Sequence, residues 1–191
     1  MRDLIRAMIA ALSPLDAREA QDRAWALNWV DSGAGLYRLA KPATPDVHLV
    51  SYFLLVDGDY ILLVDHIKAG LWLPTGGHVE PDEDPVETVR RECLEELGQP
   101  AVFLLDAPLM VTVTKTVGMT AGHTDVSLWF ALQGERSAEL TFDGSEFLAL
   151  RWFAKDDVPF GRSDPELSRF LAKLHKTLRR GVTTLGHPTE L

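Results

Sequence analysis

Glu92, Glu95 and Glu96 stand close together near the end of a stretch that reads as a helix. Glu92 and Glu96 form an i, i+4 pair on one row of such a helix, and Glu95 lies on the neighbouring row. Local stability would not choose this arrangement. Like charges at this spacing cost about 0.2–0.5 kcal/mol per pair. Acids at a helix C-terminus also face the negative end of the macrodipole, at a further ~0.3–1 kcal/mol. A bound divalent cation reverses both penalties, and carboxylate oxygens are the donors that Mg²⁺ or Mn²⁺ prefers. The plainer reading is a solvated acidic face, partly neutralised by Arg91 one turn before Glu95.

The order of residues around these acids is more specific. Gly77, Glu83, Arg91, Glu92, Glu95, Glu96 and Gly98 occupy all seven fixed positions of the pattern G-x5-E-x7-R-E-U-x-E-E-x-G-U, in which U is a bulky apolar residue. Residues 77–99 therefore resemble the Nudix box. The two U positions depart from the pattern: Cys93 is small and Gln99 is polar, which touches helix packing more than metal chemistry.

The resemblance implies a Nudix-type α/β/α sandwich with a mixed β-sheet. It implies hydrolysis of a diphosphate bond in a nucleoside diphosphate linked to another group, with Mg²⁺ as the metal and Mn²⁺ as a substitute. Glu92 and Glu96 are the expected principal ligands, and Glu95 completes the shell or helps activate water. Glu146, just before a predicted strand, occupies a position where similar enzymes place a further acid that reaches the metal. Glu92, Glu95 and Glu146 all remain eligible as the general base. Glu83 and Arg91 are expected to pair, tying the glycine loop to the helix. Gly76, beside Gly77, is expected to shape the phosphate site, and His123 and Asp125 fall where similar enzymes have substrate-contacting loop residues.

Two other classes compete. A non-catalytic nucleotide sensor on the same fold would have no need of three carboxylates at the unfavourable helix end. A Nudix-fold prenyl diphosphate isomerase is expected to use a cysteine outside the box helix, and the one cysteine here, Cys93, is inside it. Signatures resembling those of NADH diphosphatases, coenzyme A hydrolases and ADP-ribose hydrolases are not found, so the sequence leaves the particular substrate open.

The elements that must position these residues are legible in outline. Asp84 suits a helix N-cap, Pro85 the first helical position, and Glu87 completes a capping box; Gly98 and Pro100 stop the helix. Val86, Val89, Cys93, Leu94 and Leu97 form its expected apolar stripe. Residues 48–56 and 60–67 read as strands joined through Asp57-Gly58, and 71–74 lead into the glycines. Further strands are expected at 102–105, 109–116, 126–132 and 147–153, with a loop at 118–125. A second capped helix is expected from Asp164-Pro165 to residue 180, with Leu167, Phe170, Leu171, Leu174 and Leu178 inward.

Ahead of these, residues 1–32 read as two helices split at Ser13-Pro14, the second capped by Ser13, with Leu15, Ala20, Ala24, Trp25, Leu27 and Trp29 as an apolar surface. Such an arm either packs on the sheet or mediates a homodimer. The division expected is a helical arm and linker at 1–40, a Nudix domain at 41–181 and a mobile tail at 182–191.

Composition narrows the partners. The 191 residues carry 28 acids against 19 lysines and arginines, a net charge of −9. That balance disfavours a nucleic acid duplex or an anionic membrane as a partner and leaves an anionic small molecule, handled through a metal ion. A single cysteine and no membrane-length apolar run suit the cytoplasm.

Overall fold

The computed structural model describes residues 1–40, 44–116 and 122–184. Parts of the expected linker (41–43), loop (118–121) and tail (185–191) lie outside the described residues. Two helices open the chain, α1 (Arg2–Ala11) and α2 (Ala17–Asp31). Then come β1 (Val47–Asp57), β2 (Tyr60–His66), β3 (Leu71–Leu73), β4 (Thr75–His78) and α3 (Pro85–Leu97). Strands β5 (Met110–Lys115), β6 (Thr124–Gln133) and β7 (Phe147–Ala154) precede the last helix, α4 (Leu167–Thr184).

The strands form one mixed sheet in the order β3-β2-β1-β6-β5, with β4 also on β1 and β7 on β2. Strand β1 is its axis. One edge of β1 runs parallel to β6 along the whole length, from Val47↔Thr124 to Val56↔Gln133. The other edge is shared. β2 pairs with it only at Val56↔Ile61 and Asp57↔Tyr60, next to the turn at Gly58, and then diverges. β4 takes over that edge from Phe53↔Thr75 to Val50↔His78.

Alternation along β1 sends its side chains to two cores. Leu49, Phe53 and Leu55 join Val89, Cys93 and Leu97 of α3, together with Ile5 and Ile9 of α1 and Ala26, Trp29 and Val30 of α2. Leu54 and Val56 point the other way, to Leu167, Phe170 and Leu174 of α4. This is the expected α/β/α sandwich. The inward face of α3 differs from the expected stripe at one position: Leu94 is 60% exposed, because it lies well round the helix from Val89, Cys93 and Leu97, and Thr88 is buried with those three instead. Residues 102–105 contribute only a bridge, Phe103↔Leu132, since Pro100 and Pro108 confine the segment. The last helix continues past residue 180 to Thr184, taking in the first residues of the expected tail.

The N-terminal arm packs on its own chain. Helix α1 buries Ile5 and Ile9, and α2 buries Glu19, Ala26, Trp29 and Val30, whereas Ala20, Ala24 and Trp25 stay exposed. The cap is Asp16, not Ser13: Asp16 accepts from Glu19 N at 2.9 Å, while the Glu19 carboxylate accepts from Leu15 N at 2.6 Å. An acid at the cap with a glutamate three residues on is a capping-box arrangement that outcompetes the serine. Glu19 also forms a buried ion pair with Lys173 of α4. Asp16 pairs with Arg169, and Arg18 reaches Glu166 at 2.6 Å, so α2 is bound to α4 by charges at three points.

Removing one member of a buried pair strands the other, at about 3–5 kcal/mol. Lys173→Met is therefore expected to destabilise the protein by roughly that amount in urea unfolding. Pairing it with Glu19→Leu should recover part of the loss, the Leu15 N cap excepted; a double variant less stable than the single one would contradict this account.

Candidate active site

Helix α3 begins and ends on side-chain and backbone caps. Asp84 accepts from Val86 N at 2.8 Å, Pro85 follows at the first position, and Gly98 closes the helix at φ 66°. Glu87 pairs with Arg90 at 3.1 Å. The Thr88 hydroxyl donates to Glu83 at 2.7 Å, which holds the loop acid against the first turn.

Arg91 is the junction. Its guanidinium grips Glu83 through two parallel bonds of 2.9 and 3.0 Å. It also donates to Glu92 Oε1 at 2.6 Å, to the His78 carbonyl at 3.3 Å and to Glu95 Oε2 at 3.4 Å. The fork geometry of arginine suits this, since a lysine ammonium cannot make the bidentate contact. Loop, strand β4 and the acidic face of α3 are thereby fixed relative to one another.

The two glycines of β4 have separate physical reasons. At Gly77 a Cβ would lie 1.9 Å from Glu92 Oε1, so any side chain would displace that carboxylate. Gly76 has φ 147° and its Cβ would meet the Ser51 carbonyl at 2.2 Å, so only glycine lets the strand lie this close to β1. The Gly76 N–H donates to Glu96 Oε2 at 3.1 Å. Backbone rather than a side chain therefore holds the deepest acid.

These carboxylates are strained electrostatically. Burial and the neighbouring Glu92 push the Glu96 carboxyl up to about 9, against an ordinary value of 4.5. Burial also raises Glu92, opposed by its bond to Arg91. Glu95 and Glu146 add negative charge to both. Glu146 lines the same cavity as Glu92 and Glu96, whereas Glu95 is 59% exposed, outside that lining and in contact with Arg91.

The cavity has a volume of about 810 Å³ and opens where β2 leaves β1 and β4 replaces it. Arg38, Lys68 and Lys115 stand along its wall, giving cations around an acidic floor. His123 and Asp125, expected from the sequence as substrate contacts, line it too, with His78 from β4 beside them. The sequence reading missed Arg38, Lys68, Lys115, His48 and His78. The two histidines each interrupt or end a strand-like run, and that was the signal available.

The NUDIX domain model matches residues 47–174 of this chain. The chain belongs to the NUDIX family. On that membership it is a Nudix hydrolase. Among solved structures, a NUDIX hydrolase from Nitrosomonas europaea shares the fold with a TM-score of 0.56, over 68% of this chain and 88% of that one, at 21% identity. A MutT NUDIX hydrolase from Burkholderia pseudomallei is 28% identical over 59% of this chain and 87% of its own, with a TM-score of 0.47. A NUDIX-family hydrolase from Clostridium perfringens is 26% identical over 61% and 88%, with a TM-score of 0.49. No curated protein matches the chain.

The raised Glu96 carboxyl has a consequence for the metal-free protein. A folded pKa of about 9 above an ordinary 4.5 means that its contribution to stability is complete below about 4.5 and is lost as pH rises through about 9. The limiting slope is ~1.4 kcal/mol per pH unit, made shallower by water in the cavity. Glu96→Gln should therefore raise the melting temperature in EDTA at pH 8 and leave it little changed at pH 4.5. Equal shifts at the two pH values would refute the electrostatic explanation.

Proposed function

We propose that this Nudix hydrolase cleaves a diphosphate bond in a nucleoside diphosphate linked to another group, with Mg²⁺, or Mn²⁺ in its place, as cofactor. The observation that carries this reading is the convergence of Glu92, Glu96 and Glu146 on one cavity whose wall also bears Arg38, Lys68 and Lys115. A half-buried space in which desolvation and neighbouring acids push Glu92 and Glu96 upward holds a donor set suited to a hard cation. The missing Cβ of Gly77 leaves room for the Glu92 carboxylate in that set.

Glu92 and Glu96 would hold the metal, with Glu95 and Glu146 adding charge and further oxygens. The metal supplies neutralisation of phosphate charge and a more acidic bound water. The remaining work belongs to the chain. Arg38, Lys68 and Lys115 draw the anionic substrate to the mouth of the cavity and hold its phosphates. Arg91 keeps Glu92 in place through its 2.6 Å bond and its grip on Glu83. Glu146 accepts the proton of the attacking water at its carboxylate, a task for which Glu95, turned toward Arg91 and solvent, is less well placed. Gly76, His123 and Asp125 face the substrate side of the cavity.

No helix among the described residues is long and apolar enough to cross a membrane. Cys93 is buried, with its thiol pushed up to about 11 by desolvation, which makes it a packing residue and suits a protein of the reducing cytoplasm.

The test is a panel of nucleoside triphosphates, dinucleoside polyphosphates and nucleotide sugars with Mg²⁺ or Mn²⁺, followed by released phosphate after phosphatase treatment. Glu92→Gln and Glu96→Gln are expected to abolish the metal-dependent rate while remaining folded by circular dichroism. Glu146→Gln should lower kcat by about 100-fold or more with little change in KM. Folded Glu92→Gln and Glu96→Gln proteins with undiminished metal-dependent turnover would overturn the assignment.

A further inference from the structure

Three elements bring nitrogen and oxygen donors to a second point of the cavity wall, away from the α3 acids. His48 comes from β1, His78 from the end of β4, Asp125 from the start of β6 and His123 from the residue just before it. One ligand atom from each of the four lies within 4.8 Å of every other. His48 is fully buried. Its ring is 4.7 Å from that of His78 and 4.9 Å from that of His123, centroid to centroid.

The hydrogen bonds on the far side of two rings decide which nitrogen faces inward. His48 Nδ1 lies 3.0 Å from the Pro45 carbonyl, which can only accept, so Nδ1 carries a proton. His123 Nδ1 lies 3.2 Å from Thr116 Oγ1. That hydroxyl also lies 3.1 Å from the His123 carbonyl, to which it can donate, an arrangement compatible with Nδ1 as the donor here too. In that tautomer each neutral ring presents Nε2 as a lone pair near Asp125 Oδ1. An outer hydrogen bond that fixes the tautomer in this way is what metal-binding histidines commonly have.

The inner atoms do not satisfy one another. His48 Nε2, His78 Nε2 and Asp125 Oδ1 are buried without a hydrogen-bond partner among the described residues. His48 Nε2 is nevertheless 3.2 Å from Asp125 Oδ1, and His123 Nε2 is 3.4 Å from the same oxygen. The first pair approaches to hydrogen-bond distance without forming a hydrogen bond. Two buried acceptor atoms held this close with no proton between them repel, and a cation shared by them removes that cost. Adjacent ligands on a tetrahedral Zn²⁺ ion, with bonds of ~2.0–2.1 Å, stand about 3.3 Å apart.

We propose that His48, His78, His123 and Asp125 form a second metal site, for a Zn²⁺-class transition ion. Three imidazoles and one carboxylate suit such an ion and suit Mg²⁺ poorly, so the two donor sets in the cavity sort two kinds of metal by chemistry. The ion would join β1, β4 and β6 at one point. His78 directly follows Gly76 and Gly77, so a metal held there pins the strand whose backbone supports Glu96. It would also place a fixed positive charge on a wall that His78, His123 and Asp125 share with the substrate space.

The experiment uses the full chain stripped with EDTA and titrated with Co²⁺, whose visible absorption is intense in a tetrahedral imidazole site and weak in an octahedral carboxylate one. The expected result is one Co²⁺ per chain with the intense spectrum, displaced by Zn²⁺ and retained in Glu92→Gln/Glu96→Gln. His78→Gln and Asp125→Asn should each weaken Co²⁺ binding by about tenfold or more. Zn²⁺ should raise the melting temperature of the wild type and not that of Asp125→Asn, whose fold is checked by circular dichroism. Weak octahedral absorption, loss of binding in Glu92→Gln/Glu96→Gln, or no stoichiometric binding would each overturn the site. None of these readings depends on hydrolysis, so the metal site and the proposed reaction fail or stand separately.

Discussion

The Arg91 guanidinium is bonded at once to Glu83, Glu92 and the His78 carbonyl, which joins three segments whose relative positions no single element could set. Helix α3 fixes the spacing of its own acids but not their distance from β4. The loop before the helix fixes Glu83 but has no core of its own. By accepting partners from all three, Arg91 makes the helix, the loop and the glycine strand one rigid piece, and the cavity inherits its acidic floor from that piece.

The same arrangement costs stability. Glu96 sits in a space that disfavours its charge, beside Glu92, at the helix end where the backbone dipole also opposes it. A sequence selected for folding alone would put a glutamine or a leucine there. What keeps the acid in place is a backbone N–H from Gly76 and the packed stripe of Val89, Cys93 and Leu97 that it borders. Core burial therefore offsets an electrostatic penalty, and the proposed metal-binding role of Glu96 would make this a trade between activity and stability.

Much of this was readable in the chain. The spacing from Gly77 to Gly98 located the helix, its cap, the acids and the Glu83–Arg91 pair, because each follows from local geometry. Strand β1 and the Asp57-Gly58 turn were readable for the same reason. Leu94 was misplaced because it lies at the edge of the apolar stripe, where the helical period alone does not say how far the core extends. The Asp16 cap was missed because the more familiar Ser-Pro pair stood nearby. Arg38, Lys68, Lys115, His48 and His78 come from segments far apart in sequence, and only the divergence of β2 from β1 brings their neighbourhoods together. That divergence depends on how two strands share one edge, which alternation and propensity do not encode.

The ion pairs between α2 and α4 bear on where this protein's folding unit ends. Residues 47–174, the span that the family model matches, contain Lys173 and Glu166 but not their partners Glu19 and Arg18. A truncated chain of that span would lose the carboxylate that pairs with Lys173 and the arm's share of the core cluster, Ile5, Ile9, Ala26, Trp29 and Val30. The family match and the packing thus end at different places: residues outside 47–174 complete ion pairs and a core that the matched span shares.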